Sequence, residues 1–342
     1  MSPPLTRATT DIRVGITGVG AALPDERLTT ADLQRRISEA SGFPLPRNLI
    51  QAATGIESRR IAADGEYAST LAVLAARQAL TQAGLEPGDI DLLLFASATR
   101  DVVEPATAHI VQAELGTRAH VFDITNACNS FLNGIDTARA FILSGRARRA
   151  LVVTGETPTR SMRWRVTSLA QAKSSFAGFT FGDAGAAVVV EPVTTGGIID
   201  IDTETHSEHW AIGGIFGGGS RHPRDPEYTY FQGDGRQLRR VVEGIGFGIL
   251  DRVRQRTGWD WSDYARVLVH QVTLPYLDRF IEVTGVPKDK IEVTIPEFGN
   301  MASATLGVQL ARICPELRPG DRVMFIGIGG GISFMTMVWE KS

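Results

Sequence analysis

Short apolar runs alternate along this chain with longer stretches in which apolar residues return at helical spacing. The short runs, rich in Val, Ile and Leu, fit buried strands, and the periodic stretches fit amphipathic helices. Strands are predicted at Val14–Ile16, Leu92–Ala96, Ala150–Gly155, Ala186–Val190, Val267–His270 and Val323–Ile328. Helices are predicted at Tyr67–Ala83, Phe131–Leu143, Leu238–Thr257, Pro275–Thr284 and Ser303–Ile313, with Gly84 and Gly145 as stops. Strands and helices in this order predict an α/β architecture.

The pattern also repeats. Asp91–Ser97, a helix, Phe122–Cys128, a helix and Ala150–Gly155 make one unit; Val267–Gln271, a helix, Val293–Asn300, a helix and Val323–Gly327 make the other. Matching spacing puts Cys128 of the first unit nearly where Asn300 falls in the second. Two such units are expected to pair about a pseudo-twofold axis, their loops meeting at one site. A chain of 342 residues exceeds a single ordinary core. It is read as a loose leader over residues 1–11, an N-terminal half over 12–193 and a C-terminal half over 194–342. Residues 156–185 and 204–240 fit neither unit and are expected to be insertions that shape a pocket or its entrance.

Composition narrows the partners. Apolar residues make up 43% and charged residues 21%, with a net charge of -3, which describes a globular chain without attraction to nucleic acid or anionic lipid. No apolar run is long enough to span a bilayer. Two cysteines are too few for a disulfide framework or a cysteine zinc site, which fits a reducing, cytoplasmic setting. Cys314, at the end of an amphipathic helix, reads as packing. No metal is expected.

Cys128 is different, because it sits where a strand-like run passes into a helix-like one. A helix N-terminus supplies free N–H groups and a dipole that favour a thiolate. His270 stands at the end of an apolar strand, and polar residues there project into ligand crevices of α/β sheets. Asn300 opens a helix, as Cys128 does. Singly, a packed histidine and an ordinary helix cap account for His270 and Asn300. Together with Cys128, at corresponding loops of a duplicated fold, they point to thiol-based acyl transfer. A thiolate takes an acyl group from a thioester, and imidazole and carboxamide N–H groups steady negative charge on a second carbonyl oxygen. Gly329, Gly330 and Gly331 follow the last apolar strand and, with the N–H of Cys128, offer backbone donors for an oxyanion. The glycine pattern of a dinucleotide fold is absent from such a setting, so no NAD is expected.

These pieces, Asn126-Ala127-Cys128, Phe181-Gly182-Asp183-Ala184-Gly185, His270-Gln271, Gly299-Asn300 and Gly329-Gly330-Gly331, together resemble the thiolase superfamily in its β-ketoacyl-ACP synthase III branch. The resemblance spans nearly the whole chain. It implies duplicated βαβαβαββ units in a five-layered αβαβα sandwich, a homodimer, and a Cys128–His270–Asn300 triad. It implies acyl thioesters as substrates, carried on coenzyme A or on the phosphopantetheine of an acyl carrier protein, with no cofactor bound. Phe181-Gly182-Asp183 becomes structural.

Departures sharpen this. Leu49, Ala53 and Pro275 occupy places where fatty-acid initiators hold a tryptophan and two basic residues at the nucleotide, which favours a carrier-protein donor or another coenzyme A pose. Arg59 and Arg60 remain as possible phosphate contacts, although surface arginines in water explain them as well. Glu104 replaces an aromatic residue on the loop that reaches the partner's site, as in OleA-type enzymes that join two acyl thioesters without decarboxylation. Such a reaction needs a base for the carbon beside the thioester carbonyl, and a desolvated carboxylate suits that task. The expected reaction is therefore a non-decarboxylative Claisen condensation through acyl-Cys128. A decarboxylative synthase using malonyl thioester, an acyltransferase and a non-catalytic dimer partner remain as alternatives. The insertion containing Met162, Trp164, Leu169, Phe176 and Phe179 is expected to line the acyl channel, with Arg163 among the basic residues available to a carrier.

Overall fold

The computed structural model describes residues 12–342, so the expected leader lies outside the described residues. The first half runs β1 (Arg13–Ala22), β2 (Glu26–Thr29), α1 (Thr30–Ser41), α2 (Leu49–Thr54), β3 (Ser58–Ile61) and α3 (Ala68–Ala83). It continues through β4 (Leu92–Ala96), α4 (Thr107–Leu115), β5 (His120–Ile124), α5 (Ser130–Leu143), β6 (Ala150–Glu156), α6 (Leu169–Ser174) and β7 (Ala184–Val193). The second half opens with β8 (Gly197–Thr205), β9 (Gly213–Gly214), β10 (Gln232–Gly233), α7 (Gly235–Ile245) and α8 (Gly248–Thr257). It ends with β11 (Arg266–Val269), α9 (Leu274–Thr284), α10 (Ile295–Phe298), α11 (Ala304–Ile313), β12 (Arg322–Gly329) and β13 (Ser333–Glu340).

The main strands form two sheets, ordered β1-β7-β6-β4-β5 and β11-β12-β13-β8. Strand β4 pairs in parallel with β5 and β6 and is buried along its whole length, as a strand covered on both faces must be. Helices α5 and α11 lie between the sheets: Phe131 and Ile135 share one core with Leu306, Leu310, Val152 and Phe325. Gly307 allows this close approach, since a Cβ there would stand 2.4 Å from that of Ala186. Helices α3 and α4 cover the outer face of the first sheet, and α8 and α9 that of the second. The result is the five-layered αβαβα sandwich of the thiolase fold.

Most predicted elements appear within a residue or two, but Val14–Ile16 and Ala186–Val190 are pieces of the longer β1 and β7. Leu238–Thr257 is two helices: Gly246, at φ 75 and ψ -166, breaks the run between α7 and α8. The repeat is visible in the backbone, with a shifted register. Ala127 and Ala302 are the alanines at positive φ, 47 and 46, each just ahead of a central helix. Aligning them places Ser303, rather than Asn300, opposite Cys128. Among the described residues no helix is long and apolar enough to cross a membrane, and no group of His, Cys, Asp or Glu is arranged to hold a metal.

Candidate active site

Cys128, His270 and Asn300 come together on the wall of one cavity of about 580 Å³. Each is placed by a loop tied to neighbouring strands and helices by hydrogen bonds. Cys128 lies between Ala127, strained into the left-handed region, and the buried Asn129 that caps α5. Asn129 donates to the Ser333 carbonyl at 3.0 Å and to its hydroxyl at 2.8 Å, locking the cysteine loop to β13. Gly327 is glycine for that reason: a Cβ would stand 2.1 Å from Asn129 Oδ1. His270 follows β11, and its N–H donates to the Ile326 carbonyl at 2.9 Å. Its neighbour Gln271 accepts from the Thr294 and Ile295 N–H groups at 2.9 and 3.0 Å, tying the strand end to α10. Asn300 donates its N–H to the Thr180 carbonyl at 2.8 Å, and its Oδ1 accepts from Ala302 N–H at 3.0 Å, so the side chain presents its amide N–H groups.

The electrostatics fit an acyl acceptor held in reserve. Burial, with the negative charge of Glu156 beside it, pushes the Cys128 thiol up to about 12, against the pull of the Gly330 and Cys128 N–H groups. Cys128 is nonetheless partly exposed, because it opens onto the cavity rather than onto bulk water. Burial thus works against the thiolate expected at a helix N-terminus. The nearby N–H groups of Asn129 and Ser130 are already bonded to the carbonyls of Asn126 and Ala127, at 3.0 and 3.1 Å. Burial lowers His270 to about 4, so the ring is neutral, and neither ring nitrogen has a partner. A neutral imidazole here has one N–H to offer a ligand oxygen. Gly329, Gly330 and Gly331 line the same cavity, and the Gly330 N–H is directed at the thiol.

Other expectations need correction. Met162, Trp164, Leu169, Phe176 and Phe179 do not line the cavity. Met162 and Phe179 fill a separate core with Leu33 and Ile37, Trp164 and Phe176 pack against it, and Leu169 is 62% exposed. The insertion wanted a core of its own. Other residues of that insertion, Pro158, Ala177, Thr180 and Phe181, do reach the wall; the rest comes from Trp210 to Phe216, Phe231 and the facing apolar sides of α7 and α9, among them Leu238, Val242, Leu277 and Phe280. The glycines Gly213 and Gly214 belong to that wall and drew no attention in the sequence beyond their lack of a dinucleotide motif. Arg59 is fully buried, donating to the Phe179 and Phe181 carbonyls and to Thr30, and is unavailable to a phosphate. Arg60 bonds the Pro24 and Asp25 carbonyls. Arg163 is buried against Glu227 and stacks on Tyr230, so it cannot meet a carrier. Asp183 is structural: it accepts from Ala62 and Thr159 N–H at 2.8 and 3.1 Å, and burial raises it to about 6. Cys314 is buried packing. Glu104 stands exposed on the loop between β4 and α4, outside its own chain's cavity.

A thiol, a neutral imidazole, a carboxamide and glycine N–H groups around one largely apolar cavity define a thiolase-fold enzyme that condenses acyl thioesters. Comparison with known proteins narrows this further. Residues 122–207 match the family of 3-oxoacyl-[acyl-carrier-protein] synthase III, and residues 255–341 match its C-terminal family. Beta-ketoacyl-[acyl-carrier-protein] synthase III of Roseiflexus sp. (strain RS-1) is 32% identical over 335 residues, 94% of this chain and 97% of that one. The enzyme of the same name from Roseobacter denitrificans is 32% identical over 96% of this chain and 98% of its own. Among solved structures, a variant of Xanthomonas campestris OleA superposes with a TM-score of 0.85 at 26% identity, covering 96% of this chain and 98% of that one. The 3-oxoacyl-[acyl-carrier-protein] synthase III of Aquifex aeolicus gives 0.82 at 27% identity, covering 96% and 99%. The chain belongs to the 3-oxoacyl-[acyl-carrier-protein] synthase III family, and is an acyl-thioester condensing ketosynthase.

Proposed function

We propose that the protein is a homodimeric, non-decarboxylative condensing enzyme in which each subunit lends Glu104 to the other's cavity. Cys128 attacks an acyl thioester; the C–S bond to the carrier breaks, and the thiol proton passes to the departing thiolate. Glu104 of the partner subunit then removes a proton beside the carbonyl of a second acyl thioester. His270 and Asn300 hold the resulting enolate oxygen. The enolate carbon attacks the acyl-Cys128 carbonyl, whose oxyanion sits at the Gly330 and Cys128 N–H groups. Collapse releases the Cys128 sulfur, which regains a proton, and a β-keto thioester leaves.

The observation that carries this reading is the position of Glu104. It stands on an exposed loop outside its own chain's cavity, while the carboxylates on that cavity's wall are engaged: Asp234 accepts from the Arg236 and Gln237 N–H groups and Glu243 pairs with Arg239 and Arg279. A second copy of this loop is suited to bring a base that is not so engaged. OleA supports the substrate class, since a variant of it was solved with lauric acid and lauroyl-CoA bound, at a TM-score of 0.83 and 26% identity to this chain. Arg239 and Arg279 at the cavity wall offer positive charge to the phosphopantetheine of coenzyme A or of an acyl carrier protein. The relatives named synthase III favour one competing reading, decarboxylation of a malonyl thioester, for which no base is needed. Product mass spectrometry separates the two. Purified protein with an acyl thioester alone should yield the β-keto dimer, and Glu104→Ala should lose it while Cys128 still acylates. Product that requires malonyl thioester and survives Glu104→Ala would overturn the proposal.

A further inference from the structure

Glu156, the last residue of β6, has no solvent exposure and no hydrogen-bonded cation among the described residues. Buried carboxylates usually pair with a positive side chain. This one is held by neutral donors alone. One oxygen accepts from Ala98 N–H at 2.7 Å and from the Ser303 hydroxyl; the other accepts from Thr99 N–H at 3.0 Å and the Thr99 hydroxyl at 2.7 Å. Ser303 is in turn bonded to Thr154 at 2.7 Å, and Thr154 to Ser97 at 2.9 Å.

Those donors come from two functional segments. Ala98 and Thr99 line the cavity and begin the loop that carries Glu104. The far end of that loop is fixed by a second carboxylate, Asp123, which accepts from Thr107 and Ala108 N–H at 2.9 and 2.8 Å at the start of α4. Ser303 belongs to the turn that begins at Asn300, and by its backbone is the counterpart of Cys128. Glu156 thus joins the loop that carries Glu104 to the turn that carries Asn300. Burial raises its carboxyl above the usual carboxylate range, against the pull of those donors.

We infer that Glu156 is a positioning residue of the condensing reaction: its carboxyl group fixes the root of the Glu104 loop against the Asn300–Ser303 turn. The inference rests on the base role proposed for Glu104.

Full-length Glu156→Asp keeps the carboxyl group but withdraws it from the loop, so acylation of Cys128 should stay as in wild type while condensation per acylated enzyme falls about tenfold or more. Glu156→Gln keeps the side-chain length, and the Thr99 and Ser303 hydroxyls can turn to accept from the new amide, so it should retain more condensation than Glu156→Asp. Undiminished condensation per acyl-enzyme in Glu156→Asp would overturn the positioning role, and this remains informative even where the glutamine variant does not fold. Glu104→Ala is measured beside it: retained condensation there sinks the base reading, whereas its loss beside an undiminished Glu156→Asp overturns the positioning role alone.

Discussion

The resting state of Cys128 can be tested directly. Its thiol is raised from an ordinary 9.0 to about 12. Three units correspond to about a thousandfold less thiolate at any pH below the ordinary value. Cys128 is partly exposed to the cavity, and solvent screening there brings the expected deficit to about a hundredfold, on the order of two units. Iodoacetamide reacts with the thiolate, so its rate reports the thiolate fraction. Native protein and urea-unfolded protein should be compared at the same pH, with the Cys128 peptide quantified separately from Cys314. The native rate at about pH 8 should be at least a hundredfold lower, and should climb with unit slope past pH 9 without levelling. His270→Asn should not alter this profile. A gap of about eight units separates the thiol, near 12, from the imidazolium, near 4, so no ion pair forms at rest. A plateau below pH 9, or loss of reactivity in His270→Asn, would show a preformed thiolate and refute the reasoning.

Three further expectations follow from the same geometry. His270 titrates at about 4 in the folded chain against 6.5 ordinarily, so the native state binds fewer protons than the unfolded chain between those values and loses stability as pH falls through them. The loss should approach about 3 kcal/mol by pH 4, read as the difference in urea stability between wild type and His270→Asn. That difference is needed because Asp183, raised to about 6, acts in the opposite sense, and it cancels between the two proteins. Gly327→Ala drives a Cβ to 2.1 Å from Asn129 Oδ1, so thermal unfolding should show a loss of about 2 kcal/mol or more together with slowed acylation of Cys128. Met162→Ala should destabilise by about 2–5 kcal/mol without changing which acyl lengths are accepted, whereas Val242→Trp, on the cavity wall, should shorten the longest accepted acyl group.

What the sequence made legible was what periodicity and residue chemistry dictate locally. Cys128, His270 and Asn300 could be singled out because each stands at the boundary between an apolar strand and a helix, and such boundaries converge in a duplicated α/β fold. Both insertions expected to shape a pocket, 156–185 and 204–240, supply part of its wall, but which of their residues do so was not legible, because an apolar side chain in an insertion serves a channel or a private core equally well. Met162 and Phe179 found a core with α1, while the wall fell to α7, whose apolar stripe faces the cavity and whose residues are none of them buried. The broken helix at Gly246 carried that signal: a glycine inside an amphipathic run marks where the chain must turn to lay one face over the site.

Burial works against the expected thiolate for a related reason. Proximity to a helix N-terminus is visible in sequence, but whether its N–H groups are free is decided by the preceding turn, and here Asn126 and Ala127 take two of them. Glu156 was likewise invisible as a buried carboxyl group, since its four donors are gathered from two segments far apart in the chain. The same turn geometry recurs before α11, where Ala302 repeats the positive φ of Ala127 and delivers Ser303 to the carboxylate. The duplicated fold thus places a nucleophile at one copy of the turn and an anchor for a buried carboxyl group at the other.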